Sequence, residues 1–216
     1  MRGSLRQIVE ARRHQGQTRR GHGRRIRPHR RQVAVLFADI SGFTQMVEAA
    51  EPEIVYEIVR PLMDELVLLV SLHGGEIQQV LGDGFMSVFG LHSWRGDEAD
   101  RAVRAGLALV GAGGASGARL AVHVGIEYGE VLVTPSWDPA GFGLWGRPVN
   151  LAKRLCDLAG PGELQVGPAA FSHAGTHVGS AKTVRARLEG IAHTVVGHLV
   201  TVGPEPLAPA PVAPTR

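Results

Sequence analysis

The sequence predicts an α+β domain in which a mixed, mainly antiparallel sheet is covered by helices. Three observations point there. Short apolar runs rich in β-branched residues alternate with longer runs of helical period. Two of the short runs are joined by a tight Gly-Asp-Gly turn, a hairpin signal. The 44% apolar content of 216 residues is enough for one core with tails. The element order reads β-α-α-β-β-α-β-β-α-β-(α)-β-β.

The first strand is the run Val33-Ala-Val-Leu-Phe-Ala, which ends on the carboxylate of Asp39. Gly42 allows a tight turn, and Thr44 is a candidate N-cap for a helix over Thr44 to Ala50. A carboxylate at a strand end, beside the free N–H groups that open a helix, suits a metal ion and a polyphosphate. A longer helix is expected from Pro52 to His73, with Val55, Val59, Leu62, Leu66 and Val70 on one face. Pro61 is expected to kink or divide it.

Gly74-Gly75 stops the helix. Glu76 to Leu81 and Phe85 to Phe89 read as a hairpin turning at Gly82-Asp83-Gly84, which would carry Asp83 towards Asp39. A helix follows from Asp97 to Val110, then a flexible connector over Gly111 to Gly117. Leu120 to Ile126 and Glu130 to Val133 read as a second strand pair turning at Tyr128-Gly129. His123 alternates with apolar neighbours and reads as a packed strand residue.

Thr134 to Gly146 reads as a loop. The next helix opens at Arg147-Pro148 and runs through Cys156. Asn150 and Arg154, four apart, share one face and suit anionic oxygens. Leu164 to Val166 is a short strand. Thr183 to Leu188 and His193 to Val202 complete the sheet.

The formal charge of +3 conceals an asymmetry. Residues 1–31 carry 11 Arg and one acid, a net +10, while the remainder carries −7. Three segments follow: a disordered basic arm over 1–31, a folded domain over 32–202 and a Pro/Ala-rich disordered tail over 203–216. The arm has the charge to touch nucleic acid or an anionic surface, although no aromatic residue interleaves its arginines. No run reaches the roughly 20 apolar residues of a membrane helix, and no signal-peptide pattern is present. One cysteine, Cys156, excludes an internal disulfide and fits a reducing cytosol.

Phe37-Ala-Asp39-Ile-Ser-Gly-Phe-Thr44, Leu81-Gly-Asp83-Gly-Phe, Val124-Gly-Ile, Gly129-Glu-Val and Gly146-Arg-Pro-Val-Asn150-Leu-Ala-Lys-Arg154 together resemble the class III nucleotidyl cyclase domain. The resemblance runs from about Val33 to about Val202. It implies a palm-type α+β fold and conversion of a nucleoside triphosphate to a 3′,5′-cyclic nucleotide with two divalent cations, Mn²⁺ or Mg²⁺. Asp39, Ile40 and Asp83 match its metal-binding positions. Phe43 and Thr44 match substrate contacts. Asn150 matches the residue that orients the ribose, and Arg154 the one that stabilises charge on the α-phosphate. The resemblance also implies a head-to-tail homodimer with two composite sites and an effector that reads the product.

Three positions depart from the family pattern. Gln79 stands where adenylyl cyclases of this type carry Lys and guanylyl cyclases Glu. Gly143 stands at a second base-reading position. Glu189 replaces Lys in the late Lys-Gly-Ile motif. A carboxamide donates and accepts, so Gln79 names no base. Compact members specific for UTP or CTP, which trigger antiphage signalling, also lack the purine-reading pair. The reading is therefore a pyrimidine cyclase in which Trp145 or Phe142 supplies bulk to the base pocket. The alternatives are an adenylate cyclase with a degenerate pocket and a catalytically inactive dimerisation or sensing module.

Overall fold

The computed structural model describes residues 27–115, 120–135, 142–174, 181–187 and 194–200. The expectations for most of the basic arm, for the tail, for Glu189 and for the side chain of Phe142 lie outside the described residues.

Strand β1 (His29–Ile40) leads into helix α1 (Phe43–Ala49) and helix α2 (Pro52–Leu72). A hairpin of β2 (Glu76–Leu81) and β3 (Gly84–Phe89) precedes α3 (Glu98–Ala115). Then come β4 (Val122–Pro135), β5 (Phe142–Trp145), α4 (Arg147–Leu158), β6 (Leu164–Val166) and α5 (Pro168–His173). Strands β7 (Ala181–Ala186) and β8 (Val195–Val200) close the order. One sheet runs β2-β3-β1-β4-β6-β8-β7, with β5 added on β4. Every pairing is antiparallel except β4 with β6. This is the mixed, mainly antiparallel α+β architecture the sequence implies.

Strand β1 is central and buried on both faces. Ala34, Leu36, Ala38 and Ile40 pack with α2 and α3, while Val33, Val35 and Phe37 pack with Ala152 and Cys156 of α4. That explains its near-continuous apolar run, since a strand covered on both sides has no polar face to alternate with. Each fully buried aliphatic side chain there contributes about 1.5–3 kcal/mol by leaving water.

Several local expectations need correction. Leu120 to Val133 is not a hairpin. It is one 14-residue strand, β4, paired with β1 from His29↔Val133 to Ile40↔Val122. Gly129 sits inside it at φ 155, opposite Val33. It serves backbone conformation and not chain reversal, because a Cβ there would stand 3.0 Å from Pro148 of α4. The partner missed for this strand is β5, inside the segment read as a loop. Helix α3 extends to Ala115, so Gly111 to Ala115 is helix and not connector. Gly113 is there for close packing: a Cβ would lie 2.8 Å from Leu120 O and from Val122. Pro61 does not divide α2. Its missing N–H leaves the Glu57 carbonyl without a helical donor on an exposed face, where water serves. Thr44 is not the N-cap of α1. Gly42, at φ 78, takes that position with no side-chain cap.

Candidate active site

Two strand ends create the acidic centre. Strand β1 delivers Asp39 at its C-terminal end, and the β1–β3 register pairs Ala38 with Phe85. Asp83 occupies the turn between β2 and β3, immediately before Gly84. A Cβ at Gly84 would stand 2.5 Å from Ala38 O and 2.9 Å from Asp39 Oδ1. The glycine is therefore what lets the hairpin close onto the first carboxylate. Asp39 Oδ1 accepts from the Ile40 N–H at 3.0 Å, which fixes its orientation.

Asp83 reaches Asp39 closely enough for a side-chain hydrogen bond. Partial burial, followed by that hydrogen bond and the charge of Asp39, pushes the Asp83 carboxyl up to about 6. Two carboxylates held this close repel when both are ionised, and a cation between them removes the repulsion. A cavity of about 180 Å³ opens here, lined by Phe37, Ala38, Asp39, Leu81, Gly84, Phe85, Lys153 and Cys156.

Among the described residues no group of three or more His, Cys, Asp or Glu side chains forms a closed metal cage. The donor set is an open one: two carboxylates and, through its backbone carbonyl, Ile40. Open sets of this kind suit Mg²⁺ or Mn²⁺, whose remaining positions are taken by water and substrate phosphates.

Phe43 and Thr44 begin α1, just beyond Gly42. Thr44 is exposed, and Phe43 is half-buried where it lines a separate apolar groove of about 580 Å³ between α1, α2 and the hairpin. Gln79 is exposed on β2, next to an irregularity in the pairing between Ile77 and Gln79.

Helix α4 approaches β4 very closely. A Cβ at Gly125 would overlap the backbone of Ala152 and Cys156. Leu151, Leu155 and Cys156 are buried on its inner side, while Asn150 is exposed and Arg154 half-exposed. Arg154 Nη1 lies 3.8 Å from Asp157 Oδ2. Within one chain Asn150 and Arg154 do not line the acidic cavity; from α4 it is Lys153 and Cys156 that do.

Lys153 is a residue the sequence reading missed. Its only signal was position, three before the buried Cys156 and so on the inward side of the helix. It pairs with Asp157. Burial works against its ammonium, but Asp157 and then Asp39 outweigh that cost and raise its pKa above the ordinary lysine value. Burial pushes the Cys156 thiol up to about 12, the behaviour of an inert structural cysteine. His123, opposite Asp39 in the β1–β4 register, has Nδ1 2.9 Å from Ser41 Oγ. It is a packed strand residue, and burial lowers its pKa despite the pull of Asp39.

Gly143 and Trp145 lie on β5, paired with Thr134 and Leu132 of β4. Trp145 is 65% exposed, and its Nε1–H donates to Thr134 Oγ1 at 3.1 Å.

The model of the adenylate and guanylate cyclase catalytic domain matches residues 27–196. The crystal structure of the guanylyl cyclase Cya2 superimposes with a TM-score of 0.76 at 28% identity, covering 86% of this chain and all of that one. The adenylyl cyclase CyaB from P. aeruginosa gives a TM-score of 0.78 at 24% identity over 85% of this chain, a likeness of fold. An uncharacterised protein of Mycobacterium tuberculosis is 33% identical over 128 residues, 59% of this chain. The match spans 30% of that relative's length. No described helix is long and apolar enough to cross a membrane. The fold, the span of the match and the order of the motifs agree: this chain belongs to the adenylate and guanylate cyclase catalytic domain family.

Proposed function

We propose that this chain is a nucleotidyl cyclase acting on a pyrimidine nucleoside triphosphate, UTP or CTP, at a homodimer interface with two divalent cations. The observation that carries the reading is the Asp39–Asp83 pair, with the Asp83 carboxyl raised to about 6 where no cation neutralises it. The reaction forms a bond from the ribose 3′-oxygen to the α-phosphorus and breaks the bond to the β-phosphate bridging oxygen. The 3′-hydroxyl proton passes to solvent and pyrophosphate leaves.

Asp39, Asp83 and the Ile40 carbonyl hold the cations, which when bound supply charge stabilisation to the attacking and leaving oxygens. Phe43 and Thr44 present the backbone N–H groups that open α1 to the phosphates. Asn150 orients the ribose, and Arg154 offers its guanidinium to the charge growing on the α-phosphate. These two stand away from the acidic cavity of their own chain, which supports a site completed by a second copy. Gln79 faces the base with one donor and one acceptor. A cytosolic location fits the single, buried thiol of Cys156. In this reading a cyclic-pyrimidine-sensing effector of antiphage signalling reads the product, and the basic arm adds at most a weak, salt-sensitive contact to nucleic acid or an anionic surface.

The test is turnover with Mn²⁺ and ATP, GTP, CTP or UTP supplied singly, with products resolved by mass. A cyclic pyrimidine nucleotide is expected, lost in Asp39→Ala while the dimer persists. Cyclic AMP would replace the base assignment with an adenylate cyclase of degenerate pocket. No product from a folded, nucleotide-binding dimer would make it an inactive sensing module, the reading that Gln79, Gly143 and Glu189 favour.

A further inference from the structure

Gly143 leaves the proposed base pocket without a side chain at one position, yet the space beside it is filled. Strands β4 and β5 pair Leu132 with Trp145 and Thr134 with Gly143. All four residues share one face, because alternate positions Val133 and Leu144 turn to the core. A Cβ built on Gly143 would stand 3.0 Å from Trp145 Nε1, and nearer still to Thr134 Oγ1. The threonine hydroxyl thus sits where a side chain at position 143 would begin. The Trp145–Thr134 hydrogen bond and any side chain at 143 exclude one another.

That hydrogen bond has two consequences. It fixes the indole while leaving 65% of it exposed, with Leu132 beside it 40% exposed. An aromatic ring held in one orientation with its N–H already satisfied offers only its apolar surface to a partner. It also leaves Thr134 Oγ1 partly uncommitted. The oxygen accepts from Trp145, and its own proton points at Gly143 O over 3.4 Å, a long bond. One lone pair and a loosely held proton remain for a ligand.

We propose that Thr134 and Trp145 together replace the missing side chain at position 143 as the base-binding group: Trp145 stacks on the base and the Thr134 hydroxyl bonds its polar edge. This rests on the cyclase reading and deepens it. The substitution at Gly143 is compensated rather than degenerate, and the filled pocket favours a one-ring base. Stacking tolerates any base, so discrimination comes from the space left and from the edge that Thr134 and Gln79 meet together.

The experiment compares wild type, Thr134→Val, Thr134→Ser and Trp145→Ala as full-length chains with Mn²⁺ and each of the four triphosphates. It reads nucleotide affinity by calorimetry, nucleotide-induced tryptophan fluorescence and dimer mass. Loss of the stacking ring in Trp145→Ala is expected to weaken binding roughly 5- to 100-fold and to abolish the fluorescence change. Thr134→Val keeps the shape, and is expected to weaken binding of the preferred nucleotide about 2- to 10-fold and to flatten selectivity. Thr134→Ser restores both. Wild-type affinity and selectivity in Thr134→Val and Trp145→Ala, beside a wild type that binds, would overturn the proposal and leave the cyclase reading standing. So would dissociation of the dimer in Trp145→Ala, which would make the indole an interface residue. A wild type that binds no nucleotide would overturn both.

Discussion

Replacing Asp83 by Asn is expected to stabilise the metal-free protein and to abolish its stabilisation by metal. Asp83 has its carboxyl raised from 3.8 to about 6 by burial and by Asp39. The folded chain therefore binds this proton more tightly than the unfolded chain does. The ionised form is penalised in the folded state fully above pH 6, progressively less as the pH falls through 6, and not at all below the unfolded value. A shift of this size corresponds to about 3 kcal/mol at 1.36 kcal/mol per unit. Asp83 is only half-buried, so solvent screening reduces this to about 1–1.5 kcal/mol. For a domain of this size that is a rise of about 3–5 °C in Tm. Asn keeps the turn and the hydrogen bond without the charge. The assay is thermal unfolding in chelator across a pH series, repeated with Mn²⁺. The variant should melt above wild type at neutral pH, and the gap should close as the pH falls towards 4. With Mn²⁺ at about 100 times its Kd, wild type should gain about 2.7 kcal/mol and overtake the variant. A variant that melts below wild type in chelator at neutral pH, or that gains as much from Mn²⁺, would refute the reasoning.

Lys153→Gln removes a positive charge from the wall of the same cavity, and is expected to tighten Mn²⁺ binding about two- to fivefold at low salt; calorimetry or Mn²⁺ electron resonance checks this, and an unchanged or weaker Kd would refute it. Gly125→Ala forces a methyl into the backbone of α4 and should cost about 3 kcal/mol, seen as a fall of about 6–10 °C in Tm. An unchanged Tm would mean that α4 does not approach β4 as closely as described. Cys156 should resist a disulfide reagent in the folded state and react on denaturation, since burial holds its thiol at about 12; rapid labelling of native protein would contradict that.

Much was legible before any coordinates, and the reason is local. The apolar run of β1, the Gly-Asp-Gly hairpin and the Pro148 helix start are decided by neighbouring residues through burial, φ and lost N–H groups. The motif residues Asp39, Asp83, Asn150 and Arg154 stood out for the same reason: each sits at an element boundary marked by Gly or Pro. What sequence could not decide were glycines whose role is contact. Gly129 and Gly113 looked like turn and linker because glycine permits both. They are in a strand and a helix because Pro148 in one case, and Leu120 and Val122 in the other, come too close for a side chain. The same limit hid Lys153 and the Thr134–Trp145 pair. A lysine beside a conserved-looking arginine, and a threonine nine residues before a glycine, mean nothing until helix packing and strand register bring them together. Local chemistry thus determined the elements and the residues able to hold metal and phosphate. Only the tertiary structure decided which of them share a cavity, because that depends on how closely backbones approach, and no periodicity records it.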